Sequence, residues 1–140
     1  MKHGIIVDWD DLQTKACIRW DFYGVWSWDD WYAGMETALA LRAEVIDTPI
    51  VPAIFNFEHH LHPPFTGLLP NIRNGGELMD PRDFVVAAYP SGFVRRIIEV
   101  YLSIHPVMRE RVFVVHSLDD ARRLMTEEVQ ARLLHVPQRR

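Results

Sequence analysis

Residues 111–125 read RVFVVHSLDDARRLM. The first five are dominated by valine and phenylalanine, the composition of a buried strand. Two polar residues follow, His116 and Ser117. Leu118, Ala121, Leu124, Met125 and Val129 then recur at helical spacing. Ser117 with Asp120 three residues later has the form of a capping box, in which each side chain satisfies a backbone N–H of the first turn. One short segment therefore encodes a strand, a tight turn and a capped helix.

The same unit recurs upstream. Asp83 to Tyr89 (DFVVAAY) reads as a buried strand. Pro90-Ser91-Gly92 turns into a helix with Phe93, Val94, Ile97, Ile98, Tyr101 and Ile104 inward and Arg95, Arg96, Glu99 and Ser103 outward, stopped by Pro106. Before that, Ile50 to Phe57 (IVPAIFNF) is nearly continuous apolar, although Pro52 argues against a central ladder position near its start. Phe65, Leu68, Leu69 and Ile72 predict a short helix ended by Gly75-Gly76, with Pro70 implying a kink or a late start.

At the N-terminus, Gly4–Asp8 and Lys15–Tyr23 predict two strands around a turn at Asp10-Asp11. In the second, Ala16, Ile18, Trp20 and Phe22 form one apolar face, alternating with Cys17, Arg19, Asp21 and Tyr23. Ser27 and Asp30 form another capping-box pair, and Trp26 and Trp31 occupy the two positions of a hydrophobic staple. Trp28, Trp31, Tyr32, Met35, Ala38 and Leu39 then share a helical face. That spacing explains the tryptophans as packing; a stacking platform for a sugar or base is the functional alternative. The order is β-β-α-β-α-β-α-β-α. It predicts an α/β fold with four sequential, mainly parallel strands, right-handed crossovers and an antiparallel first strand.

At 140 residues the chain is long enough for a real core. It is expected to form a single domain over residues 1–136 with a frayed tail at 137–140. A net charge of −4 with scattered basic residues argues against a nucleic-acid partner. The lone Cys17 excludes a disulfide within the chain and fits a reducing compartment. No apolar run approaches the roughly 18 residues that span a bilayer, and the N-terminus lacks the apolar core of a signal peptide. A cytoplasmic protein without a membrane partner is the expectation.

The pattern resembles the STAS domain, the fold of bacterial anti-sigma factor antagonists. The residues that carry it are the hairpin ending in WDFYGVWSWDDW, the strand IFNF, VVAAYP leading into SGFVRRIIEVYLSIHP, and RVFVVHSLDDARRLM. The resemblance implies a stack of β/α turns with helices mainly on one face, and a role in binding protein partners. A lipid-binding relative of the fold leaves room for a ligand. In the family, a serine just after the third strand is phosphorylated in an Asp-x-Ser-Gly-type turn. The matching region here is Asn56-Phe57-Glu58-His59-His60, with no serine or threonine before Thr66. Glu58 falls near the serine's place, so a regulated phosphoswitch is not expected.

Residues 58–64, EHHLHPP, hold three of the seven histidines. On an extended chain Glu58, His60 and His62 point the same way, and carboxylate with imidazoles suits zinc, nickel or iron. The same residues read equally well as a solvated turn held by Pro63-Pro64. No cofactor motif is present: there is no Gly-rich phosphate loop, nucleophile elbow or recognisable triad. Ser91 reads as an N-cap or an anion site, and His116 as a strand-end residue.

Two functions follow. The first is a non-catalytic STAS-like regulatory or interaction domain that binds a protein partner or a second copy, with Asn56, Glu58, His59, Tyr89, Ser91 and His116 at the binding edge. Its sheet is expected to have one face without helices, where Arg19, Asp21 and Tyr23 form a polar-aromatic surface. The alternative is a small-ligand or metal-binding protein, enzyme or not, that uses Glu58–His62 with Tyr89, Ser91 and His116 in a concave pocket at the strand ends.

Overall fold

A computed structural model describes residues 2–45, 47–74 and 83–134. β1 (Gly4–Trp9) and β2 (Ile18–Val25) pair as an antiparallel hairpin, Gly4 opposite Tyr23 and Trp9 opposite Ile18. α1 (Trp28–Ala43), β3 (Ala53–His62), α2 (Leu68–Asn74), β4 (Val85–Ala88) and α3 (Gly92–Ile104) follow. A 3-10 turn (Pro106–Glu110), β5 (Val112–Val115) and α4 (Leu118–Leu134) complete the order. The sheet runs β1-β2-β3-β4-β5, with β2 to β5 parallel. The α/β class, the antiparallel first strand and the sequential order are those the sequence predicts.

Alternation in β2 decides which side is the larger core. Trp20, Phe22 and Ile18 are buried on the face that carries α1 and α3. Phe22 and Phe57 stack at 4.5 Å between centroids, and Trp20 lies 5.0 Å from Trp31 of α1. The capping box at the start of α1 is complete: Asp30 N donates to Ser27 Oγ (3.1 Å) and Ser27 N donates to Asp30 Oδ2 (2.9 Å). The staple closes as well, Trp26 and Trp31 stacking at 6.3 Å. Gly34 allows α1 its close approach, since a Cβ there would sit 2.9 Å from the Trp20 ring.

The opposite face carries α4. Ala121 and Met125 pack on Ile54, Val86 and Ala88, all buried. Serine capping works here too, with Asp120 N donating to Ser117 Oγ (3.0 Å). The expected bare sheet face is therefore smaller than the sequence suggests. α4 packs on β3, β4 and β5, so only the β1–β2 portion of that face, where Ile6 and Tyr23 remain accessible, is without a helix.

Several local expectations change. EHHLHPP is not a loop: Glu58 to His62 continue β3, because the end of β2 extends beside them. Gly24, at φ +50°, shapes that end of β2, and a Cβ there would lie 2.8 Å from the Lys2 carbonyl oxygen. α2 starts after Phe65, with Pro70 in its first turn, where a missing N–H leaves no helical bond unmade. Tyr32 and Leu39 lie at the solvent edge of α1, and Phe93 and Ile104 at that of α3, because four-residue steps drift off a straight seam. Gly75-Gly76 and the tail at 137–140 lie outside the described residues.

Candidate functional site

Parallel pairing aligns the strand ends. Asn56 is opposite Ala88, and Ala88 opposite Val115. Glu58–His62, which run on beyond the β4 pairing, and Tyr89–Ser91 and His116, which follow β4 and β5, therefore lie toward one end of the sheet. Beyond Asn56, β3 pairs with β2 alone, and the pairing shifts twice, between Asp21 and Tyr23 and between Gly24 and Val25. These bulges place His59 opposite Tyr23, His60 opposite Gly24 and His62 opposite Val25. The simple alternation that would align Glu58, His60 and His62 is broken.

Each histidine finds a different neighbour. His59 is exposed, stacks on Tyr23 at 5.7 Å and lies 3.7 Å from the Glu58 carboxylate. The His60 Nδ1 accepts from the Trp26 indole N–H (3.1 Å), so neutral His60 carries its proton on Nε2. That Nε2 is buried without a partner among the described residues. Burial, with His62 nearby, holds the His60 pKa below its ordinary value. His62 stacks on Phe65 at 5.4 Å. Among the described residues no three His, Cys, Asp or Glu side chains gather as a metal site would need.

Asn56 acts inside the fold. Its amide donates to Asp21 Oδ1 (2.9 Å), and its carbonyl oxygen accepts from Glu58 N (3.2 Å), which braces the first bulge. Ser91 accepts from Val94 N (3.2 Å) as the α3 cap. Tyr89 is exposed and holds a left-handed backbone, φ 57°, an uncommon conformation for a bulky residue. His116 is exposed. Leu61 (53% exposed) and Phe65 (61% exposed) are also accessible, with Phe65 edge-on to Phe93 at 5.2 Å.

Two features escape a sequence reading. The first is a chain of charges. Arg122 of α4 grips Asp10 through Nε (3.0 Å) and a terminal nitrogen (2.9 Å), Arg19 reaches Asp10 (2.7 Å) and Asp21 (3.0 Å), and Asp21 accepts from Asn56. Asp21, expected on an open surface, is buried at 8%. The Arg122 hydrogen bonds, with those of Arg19, hold the Asp10 carboxyl below the usual carboxylate range despite its burial. Asp10 and Arg122 are 112 positions apart, so no spacing rule could pair them.

The second is a cavity of about 170 Å³ between the sheet and α1, α2 and α3. Trp26, Trp28, Trp31 and Phe57 line one part, Ile98 and Tyr101 another, and Leu68 and Ile72 of α2 roof it. α2 is tied down by polar contacts: the Trp28 indole donates to the Thr66 carbonyl (2.8 Å), the Tyr32 hydroxyl to Asn71 Oδ1, and the His105 ring lies 3.3 Å from the Ile72 carbonyl. No helix among the described residues is long and apolar enough to cross a membrane. No protein-family model and no curated protein matches the chain.

Proposed function

We propose that the chain is a non-catalytic, STAS-like regulatory or interaction domain that binds a protein partner or a second copy of itself at the strand-end rim. The observation that carries this reading is a set of exposed apolar side chains, Leu61, Phe65, Leu69, Tyr89 and Phe93, of which Phe65 and Phe93 meet edge-on, together with exposed Glu58, His59 and His116. Contiguous exposed apolar side chains rimmed by polar ones mark interaction surfaces. Asn56 and Ser91 serve that rim from beneath, one bracing the bulge and one capping α3. The metal or ligand reading of Glu58–His62 has less behind it, since His60 is engaged by Trp26 and Glu58 sits beside His59.

Light scattering at micromolar concentration tests the self-association arm. The wild type is expected to be a dimer. The double variant Phe65→Ser, Phe93→Ser is expected to be a monomer with a nearly unchanged melting temperature, because both residues are exposed. A monomeric wild type rules out the second copy as the partner. A double variant that remains dimeric removes the rim from the interface.

A further inference from the structure

We propose that the cavity beneath α2 is a binding site for a small uncharged hydrocarbon-like molecule, one or two rings or a short chain of similar bulk. This inference is independent of the rim, whose exposed side chains lie on the outer surface.

Size sets the first limit. A 150 Å³ apolar cavity in another protein accommodates benzene, and this one is about 170 Å³. A ligand near the size of toluene fills it.

Wall chemistry sets the second. Among the described residues that line the cavity there is no Asp, Glu, Lys, Arg or His, and Tyr101 is the one with a titratable side chain. Burial raises the Tyr101 pKa, so its phenol stays neutral at physiological pH. Three other polar groups of the wall are engaged within the fold. The Trp26 N–H donates to His60, the Trp28 N–H to Thr66, and the Asn71 side chain bonds Tyr32 and Gly67. A carboxylate or ammonium in this space would meet no charged side chain among the described lining residues, and an unpaired buried charge is strongly disfavoured. The site therefore discriminates by charge, and its indole and phenyl faces suit an aromatic ring.

The roof supplies a route in. α2 has seven residues and is tied to α1 and α3 by the three polar contacts described above. Lifting it exposes Leu68 and Ile72 but leaves the β-strand ladder intact.

Melting of the purified protein with toluene, and with benzoate as a charged ring of similar size, tests the proposal. Toluene at ten times its dissociation constant is expected to raise the melting temperature by about 4 °C and to change the tryptophan fluorescence; benzoate is expected to do neither. Ala87 is buried on the cavity floor, and Ala87→Leu is expected to weaken toluene binding at least tenfold. If that variant does not fold, Ile98→Trp, altered at a half-buried wall position, serves the same purpose. The rim variant Phe65→Ser, Phe93→Ser is expected to bind toluene as the wild type does. No toluene effect, an equal effect of benzoate, or unchanged binding by the filled variant overturns the site.

Discussion

The two faces of the sheet are built on different packing rules. Under α1, α2 and α3 the core is made of rings: Trp20, Phe22, Trp26, Trp31, Phe55 and Phe57 meet at centroid distances from 4.5 to 6.4 Å and at varied tilts. Under α4 it is made mostly of small aliphatic groups, with Ile54, Val86, Ala88 and Ala121 fully buried. Large flat rings bury much area each but tile poorly, and a space remains. Small branched groups close-pack, and α4 is further tied to the hairpin by the Arg122–Asp10 pair. The cavity thus belongs to the aromatic face, and the tie to the hairpin to the aliphatic one.

The sharpest way to break this contrast is to remove a ring. Trp26 is 6% exposed and joins the staple, the His60 hydrogen bond and the cavity wall. Trp26→Ala is expected to destabilise by about 3 kcal/mol, read as a lower midpoint in denaturant melts. An unmoved midpoint would mean that the rings do not hold α1 to the sheet.

Adjacent alanines give a more direct comparison, because neighbours on a strand point to opposite faces. Ala88 packs in the aliphatic cluster, and Ala88→Leu is expected to destabilise by about 2 kcal/mol through overpacking. Ala87 faces the cavity, and Ala87→Leu is expected to stabilise by about 1 kcal/mol. Equal losses in both variants would show that the two faces are packed alike.

Smaller still is the electrostatic effect. Asp10→Ala is expected to cost about 1 kcal/mol at neutral pH, since Arg122 is partly exposed and Arg19 keeps Asp21. The Asp10 pKa is lowered in the folded state, chiefly by Arg122. Its contribution is therefore complete above the unfolded carboxyl pKa of about 4 and fades as the pH falls through the lower folded value. His60 is also depressed, by burial, so acid acts on the aromatic face earlier, as the pH drops below the unfolded imidazole value of about 6.5. Denaturant midpoints measured from pH 8 to pH 3 should show the Asp10→Ala and wild-type curves converging below about pH 4. Parallel curves throughout would remove Asp10 from the acid response.

Local chemistry made most of the fold legible. Ser27, Ser91 and Ser117 cap helices where the sequence places them, and the alternation of Ile18, Trp20 and Phe22 identifies the buried side of β2. The candidate site was legible mainly as an edge. Tyr89 and His116 do follow the ends of β4 and β5, and Glu58 and His59 lie where β3 runs on past β4, because parallel order aligns those ends. Their neighbours were not readable: His60 turns to Trp26, and Asn56 to Asp21. Two bulges cause this, and a bulge depends on the partner strand as much as on its own residues.

The sequence by itself determined the order of elements, their caps and the apolar side of each, because these depend on residues within one or two turns of one another. Only the tertiary structure decided which face α4 would cover, that Asp10 would meet Arg122, and that six rings would leave a space beneath α2. Those outcomes depend on how distant surfaces match in shape and charge. Such matching is a property of three-dimensional packing, which periodicity along a chain does not encode.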